Sequence, residues 1–194
     1  MDEATHPDDQ RAFASQAAWR EWLAENFASS AGIWIQLAKK GSGIPTVTYA
    51  EALDVALCYG WIDGQKRPLD DSWWLQRFTR RTKRSGWSKV NREHIARLTA
   101  AGLMQPTGQL EVDRAKADGR WDAAYDSSRT STVPADLTEA LNAEPEAAAF
   151  FATLNAANRY SHLYAVQTAK KPETRTRRIA KIVSMCLSHE KPHP

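Results

Sequence analysis

The chain has 194 residues, 42% of them hydrophobic and 25% charged, with a formal net charge of +3. This composition fits a soluble globular protein of one domain or two small ones and excludes low-complexity disorder and collagen. No run approaches the roughly 18 apolar residues of a membrane helix, and the acidic, polar opening MDEATHPDDQ lacks the basic-then-apolar order of a signal peptide. A cytoplasmic protein without membrane insertion is expected.

Charge is spread unevenly. Residues 66–97 hold ten Lys/Arg against three acids, and residues 170–191 hold seven against two. Residues 1–28 hold six acids against two basic residues, and residues 111–147 hold nine against four. Such alternation reads as solvated faces that attract each other across the fold, or as surface for an anionic ligand or nucleic acid. Cys58 and Cys186 sit far apart in apolar helical patterns, which predicts two buried free thiols. No CxxC, HExxH or Cys/His cluster is present, so neither a metal nor another cofactor is expected.

In chain order, Trp19, Trp22 and Leu23 fall at i, i+3, i+4, one face of a helix over 16–26 with Ser15 as its N-cap. Residues 33–37 are rich in strand formers, and a turn follows at Lys39–Gly43. Thr48 and Glu51 have capping-box spacing at the start of a helix that runs toward Gly60. A short strand then meets the Asp63-Gly64 turn signal. Residues 72–79 alternate Trp74, Gln76 and Phe78 against Trp73, Leu75 and Arg77, as a strand does. Ser88 is placed to cap a helix over 89–101, and Pro106 suits the first turn of another ending near Asp118. The Ser/Thr-rich residues 126–134 read as a linker. Helices are expected over 135–142, 145–154, 156–168 and 173–188. The predicted fold class is α+β: a module over 1–125 with a short antiparallel sheet, then an all-helical module over 135–194.

Three blocks carry a resemblance: ALCYGWIDGQKRPLDDSWWLQRFTRRTKRSGWSKVNREHIARL, then ADGRWDAAY, then FFATLNAANRYSHLYAVQTAKKPETRTRRIAKIV. Together they resemble the bacterial YdeI/OmpD-associated family over nearly the whole chain, and the last block resembles its OmdA-type domain. The resemblance implies a stress or resistance role, in bacteriocin protection and tolerance of cationic antimicrobial peptides, rather than a defined reaction. Many relatives read RFTPR where this chain has Arg77-Phe78-Thr79-Arg80-Arg81, a change expected to loosen a turn and add charge.

The sequence holds eight tryptophans, and four of them, Trp61, Trp73, Trp74 and Trp87, lie in its most polar-aromatic stretch. Around them stand Asp63, Gln65, Gln76, Arg77, Arg81, Ser85, Ser88 and Asn91. Aromatic walls beside guanidinium and amide groups suit a planar or anionic ligand, small or peptidic, because arginine offers a bidentate fork and tryptophan a stacking face. In that reading Arg77 and Arg81 anchor the anion, Trp61, Trp74 and Trp87 form walls, and Asp63 and Asn91 orient the ligand. The structural alternative makes Asp63 a turn cap, Ser88 a helix cap and Trp61 and Trp74 core residues. On strand alternation Trp74 and Arg77 point opposite ways, so a shared pocket needs the strand to twist, bulge or end between them. A nucleic-acid reading would use residues 77–92 and 170–181. No catalytic template is complete, which leans away from an enzyme. An enzyme of unrecognised reaction is the remaining reading.

Overall fold

In the computed structural model, which describes residues 9–193, every helix expected from the sequence forms within two residues of its expected bounds. The residues divide into two units: the chain up to Gly86 with Asn91–Asp122, and Trp87–Val90 with the chain from Ala123 onward.

The first unit is built on four strands, β1 (Gln10–Ala12), β2 (Gly32–Ala38), β3 (Trp61–Pro68) and β4 (Trp73–Arg80), in the spatial order β1-β2-β4-β3. The β2–β4 and β3–β4 pairs are antiparallel, but β1 runs parallel to β2. The sheet is therefore mixed, which corrects the expectation of a short antiparallel sheet. Its cause is helix α1 (Gln16–Asn26), a crossover that carries the chain back so that β2 starts beside β1 in the same direction. Strand β1 is three residues long and has no apolar alternation, so nothing in its sequence announces it.

The α1 entry is fixed by Ser15, whose hydroxyl accepts the Ala18 N–H at 3.2 Å, a cap of about 1 kcal/mol. Its Trp19, Trp22 and Leu23 are buried as the spacing requires. Trp19 and Trp22 stack with centroids 5.4 Å apart, and Trp61 meets both rings edge-on at 6.5 and 6.1 Å. Trp19 donates its indole N–H to the Ala52 carbonyl at 3.0 Å, and Trp61 donates to Phe27 at 3.3 Å. These bonds let two large polar-tipped rings sit fully buried.

The capping box of α2 (Tyr49–Cys58) forms in both directions between Thr48 and Glu51. Helices α3 (Lys89–Ala100) and α4 (Pro106–Ala117) follow β4. Asp54 of α2 ties to α3: its Oδ1 is 2.7 Å from His94 Nδ1, and Arg97 donates to both its oxygens. Gly108 of α4 lies against the α2 end so closely that a Cβ there would overlap the Cys58 carbonyl.

The Asp63-Gly64 pair is not a turn. Strand β3 runs straight through it and is interrupted by a bulge between Asp63 and Lys66. Gln76, 3% exposed, fills the bulge: its Nε2 donates to the carbonyls of Gly64 at 3.0 Å and Gln65 at 3.2 Å. One extra residue on β3 reverses the parity of everything after it. Lys66 thus pairs with Gln76, and Arg67 pairs with Leu75. Arg80 ends β4 opposite Trp61 and donates Nη1 to the Ala28 carbonyl at 2.9 Å. It extends a strand and spans to α1's exit, where a loosened turn was expected.

The second unit contains α5 (Ala135–Asn142), α6 (Pro145–Thr153), α7 (Ala156–Gln167) and α8 (Pro172–Leu187). Leu137, Leu141, Phe151, Leu163, Val166, Ile179, Ile182 and Cys186 form its core. Asn155 caps α7 by accepting the Asn158 N–H at 2.9 Å. Arg175, near the start of α8 where a cation opposes the helix dipole, grips Asp136 at 2.6 and 2.9 Å. Residues 126–134 are tied to α7, since Gln167 accepts the Asp126 N–H and donates to Ser131 Oγ. Both cysteines are free and buried, as expected, and burial pushes each thiol up.

His162 is 4% exposed, and burial lowers its pKa. A histidine depressed in the folded state stabilises fully above its ordinary value of about 6.5, and that contribution is lost as pH falls below it. Denaturant melts of the wild type should weaken between pH 7.5 and 5, and His162→Gln should flatten that slope. Asp136, lowered by the hydrogen bond from Arg175, acts only below about 3.9 and so leaves this window clear. Separately, Gly108→Ala should cost about 3 kcal/mol in chemical denaturation, because the α2–α4 contact has no space for a methyl group.

Candidate functional site

The twelve residues singled out in the sequence are not one cluster. Trp61 has no exposed surface and belongs to the Trp19/Trp22 core, so it cannot wall a cavity. Asp63 accepts a hydrogen bond from the Tyr49 hydroxyl at 2.7 Å. Gln65 is exposed on the bulge, and Gln76 is buried beneath it. Trp73 and Trp74 lie half-buried on opposite faces of β4. Arg77 is on the Trp73 face, its guanidinium 5.8 Å from the Trp34 ring centre, and Arg67 covers the same ring at 4.4 Å. Arg81 is 6% exposed and donates to the Gly86 carbonyl. Ser85 Oγ accepts the Thr82 N–H at 2.9 Å. Trp87 and Ser88 are buried in the second unit, where Tyr125 donates its backbone N–H to the Trp87 carbonyl. Asn91 is buried in α3. The bulge that was needed to join Trp74 with Arg77 does exist, but on β3, and it leaves those two side chains on opposite faces.

The structure surrounds Trp74 instead with residues the sequence reading passed over. Trp74 separates two hollows. One, of about 360 Å³, is lined by Lys39, Lys66, Arg67, Pro68 and Trp74. The other, of about 400 Å³, lies under the loop 39–48 and reaches Tyr49, whose ring centre is 6.1 Å from that of Trp74. Lys40 joins Lys39 on this loop. Gly41 and Gly43 turn it at φ of 90° and 72° with open space around both, a conformation that strains other residues. Among the described residues, the ammonium groups of Lys39, Lys40 and Lys66 have no ion-pair partner. Arg67 lines the groove, but its guanidinium is committed to Trp34. The signal for this site was the Lys39-Lys40-Gly41-Ser42-Gly43 run, which was read only as a turn.

A second polar constellation is Asp54, His94 and Arg97. Burial pushes the Asp54 carboxyl up, yet hydrogen bonds from Arg97 and His94 and their charges hold it below the usual carboxylate range. Arg97 is raised by the same contact. Cys58, one turn along α2, is fully buried. The group joins two helices and borders none of the hollows described for this unit. Among the described residues, no cluster of three or more His, Cys, Asp or Glu is placed to hold a metal ion, and no helix is long and apolar enough to cross a membrane.

No curated protein and no solved structure matches the chain. Two families do. Residues 130–189, the α5–α8 unit, match OmdA, described as Bacteriocin-protection, YdeI or OmpD-Associated, the family the sequence resembles. Residues 11–111, which hold the Trp74 groove, match a domain of unknown function, DUF8412. The chain thus belongs to the DUF8412 family, whose model spans its sheet-bearing half, and its helical half carries a match to the YdeI/OmpD-associated OmdA domain.

Proposed function

We propose that the first unit is a binding module for a planar, negatively charged small molecule or peptide side chain, held against Trp74 and neutralised by Lys39, Lys40 and Lys66. The observation that carries this reading is the pairing of a half-buried indole with three lysines that have no ion-pair partner among the described residues. Exposed cations of that kind are retained at little cost and become strong contacts only when a ligand excludes water around them. The OmdA match over residues 130–189 suggests a protective or stress-associated role, and sequestering a ligand without turnover suits such a role.

The nucleic-acid reading has less support. In the segment 77–92, Arg77 lies over Trp34, Arg81 is buried, and Lys89 pairs with Asp126 at 2.8 Å. Arg92 lies over Trp121 and donates to its carbonyl. In 170–181, Arg175 is held by Asp136, and Arg178 donates to Ala165 and Thr168. These six of the thirteen cations in the two segments are engaged within the chain.

Tryptophan-fluorescence titration with 1-naphthoate, a planar monoanion, tests the proposal. Saturable quenching is expected, lost in Trp74→Leu and weakened about tenfold, or 1.4 kcal/mol, in Lys66→Ala. Quenching that does not saturate, or that survives Trp74→Leu, would overturn it. Binding of a DNA duplex that falls steeply with salt and survives these two substitutions would favour the nucleic-acid reading.

A further inference from the structure

On another part of the first unit lies a cleft of about 370 Å³ that the Trp74 groove does not share. One wall is apolar: Phe27 and Tyr59, ring centres 5.9 Å apart, and Leu110. The other wall is charged, with three guanidiniums, Arg80, Arg81 and Arg114, against the single carboxylate of Glu111. Arg114 donates to Glu111 at 2.6 Å. Arg80 spends one N–H on Ala28, which leaves the rest of its five-donor fork.

Thr107, Leu110, Glu111 and Arg114 recur at i, i+3, i+4 and i+7, so one face of α4 lines the cleft from its first turn. That first turn has no side-chain cap, and its leading N–H groups have no partner inside the helix. The Thr107 hydroxyl is closed off from solvent and, among the described residues, has no hydrogen-bond partner. A buried unsatisfied hydroxyl costs about 1–3 kcal/mol, and a rotation of Thr107 about χ1 that turned its hydroxyl to a ligand oxygen in the cleft would remove that cost. The volume is that of a small-ligand site.

We propose that this cleft binds a phosphate monoester carrying an aromatic body, with the ring against Phe27 and Tyr59 and the phosphate among Arg80, Arg114, Thr107 and the start of α4. The excess of positive charge on the lining suits a dianion better than a carboxylate. Guanidinium forks match phosphate oxygens in geometry, and the dipole of the helix start adds a field of the same sign. Arg80, at the end of β4, supplies one of the anchors.

The test is a titration with phenyl phosphate followed by amide chemical shifts of Gly60, Thr107 and Gly108. Saturable shifts at these amides are expected, with about tenfold weaker binding in Arg80→Gln and several-fold weaker binding in Thr107→Val, a near-isosteric change that preserves the fold. Affinity should fall as pH drops below about 6, where the phosphate loses its second charge. Inorganic phosphate should move the same amides with lower affinity, and phenyl sulfate, a monoanion, should bind more weakly than phenyl phosphate. Lys66→Ala, which lies in the Trp74 groove, should leave all of this unchanged, so failure here and failure of the groove are read separately. Absence of shifts at the three amides would overturn the proposal, as would shifts indifferent to both Arg80→Gln and Thr107→Val. Inorganic phosphate binding as tightly as phenyl phosphate would overturn the aromatic half of it.

Discussion

The first unit turns on one buried amide. Gln76 lies under the core face of β4 with almost no exposure, and its nitrogen holds the carbonyls of Gly64 and Gln65 where β3 carries one residue too many. An unfilled bulge would leave those carbonyls without a protein partner and weaken the register. With the amide in place, the register is pinned at the point where parity changes. Lys66 is delivered to the side of the sheet that bears Trp74, and Arg67 to the side that bears Trp34. Without the extra residue the two would exchange faces: the groove would lose an ammonium and the Trp34 ring would lose its nearest guanidinium.

That single displacement sorts the aromatic residues into two physical roles. Trp19, Trp22 and Trp61 are closed off by one another and by hydrogen bonds from two of their indole nitrogens to backbone carbonyls. Such edge-on and stacked pairs add about 0.5–1.5 kcal/mol each beyond the area they bury. Trp34 is shielded differently, by guanidiniums laid across its face, a contact that covers apolar surface while keeping charge near water. Trp74 has the Tyr49 ring beside it, at 6.1 Å, but is not closed off. It stays half-buried between two hollows with cations on either side, and this difference in covering, rather than residue type, separates an accessible ring from a core one.

Helix positions were legible because their signals are local. Ser15, the Thr48/Glu51 pair, Pro106, Pro145 and Asn155 sit at or next to the starts their chemistry implies. The 3.6-residue period of Ile179, Ile182 and Cys186 marked the buried face of α8. Strand β1 was not legible, since three residues carry no period and their pairing depends on a partner more than twenty positions away. The Asp63-Gly64 dipeptide misled because the backbone freedom that makes it a turn former also makes it a bulge former, and only the distant Gln76 decides between them. The candidate site inherited this error. Residues 61–91 were treated as one neighbourhood, whereas the bulge, the alternation of β4 and the change of unit at Trp87 send their side chains to several different places.

The two thiols have a consequence of their own. The chain holds two cysteines, and they fall one to each unit, Cys58 at the end of α2 and Cys186 near the end of α8, both without exposed surface. Each sulfur is shut away by the packing that defines its own unit, and burial keeps it in the protonated, unreactive form. A thiol reagent therefore meets a residue only when that residue's unit opens, and the position at which label accumulates identifies which unit opened. The protein carries a separate internal reporter for the opening of each half, with no substitution added.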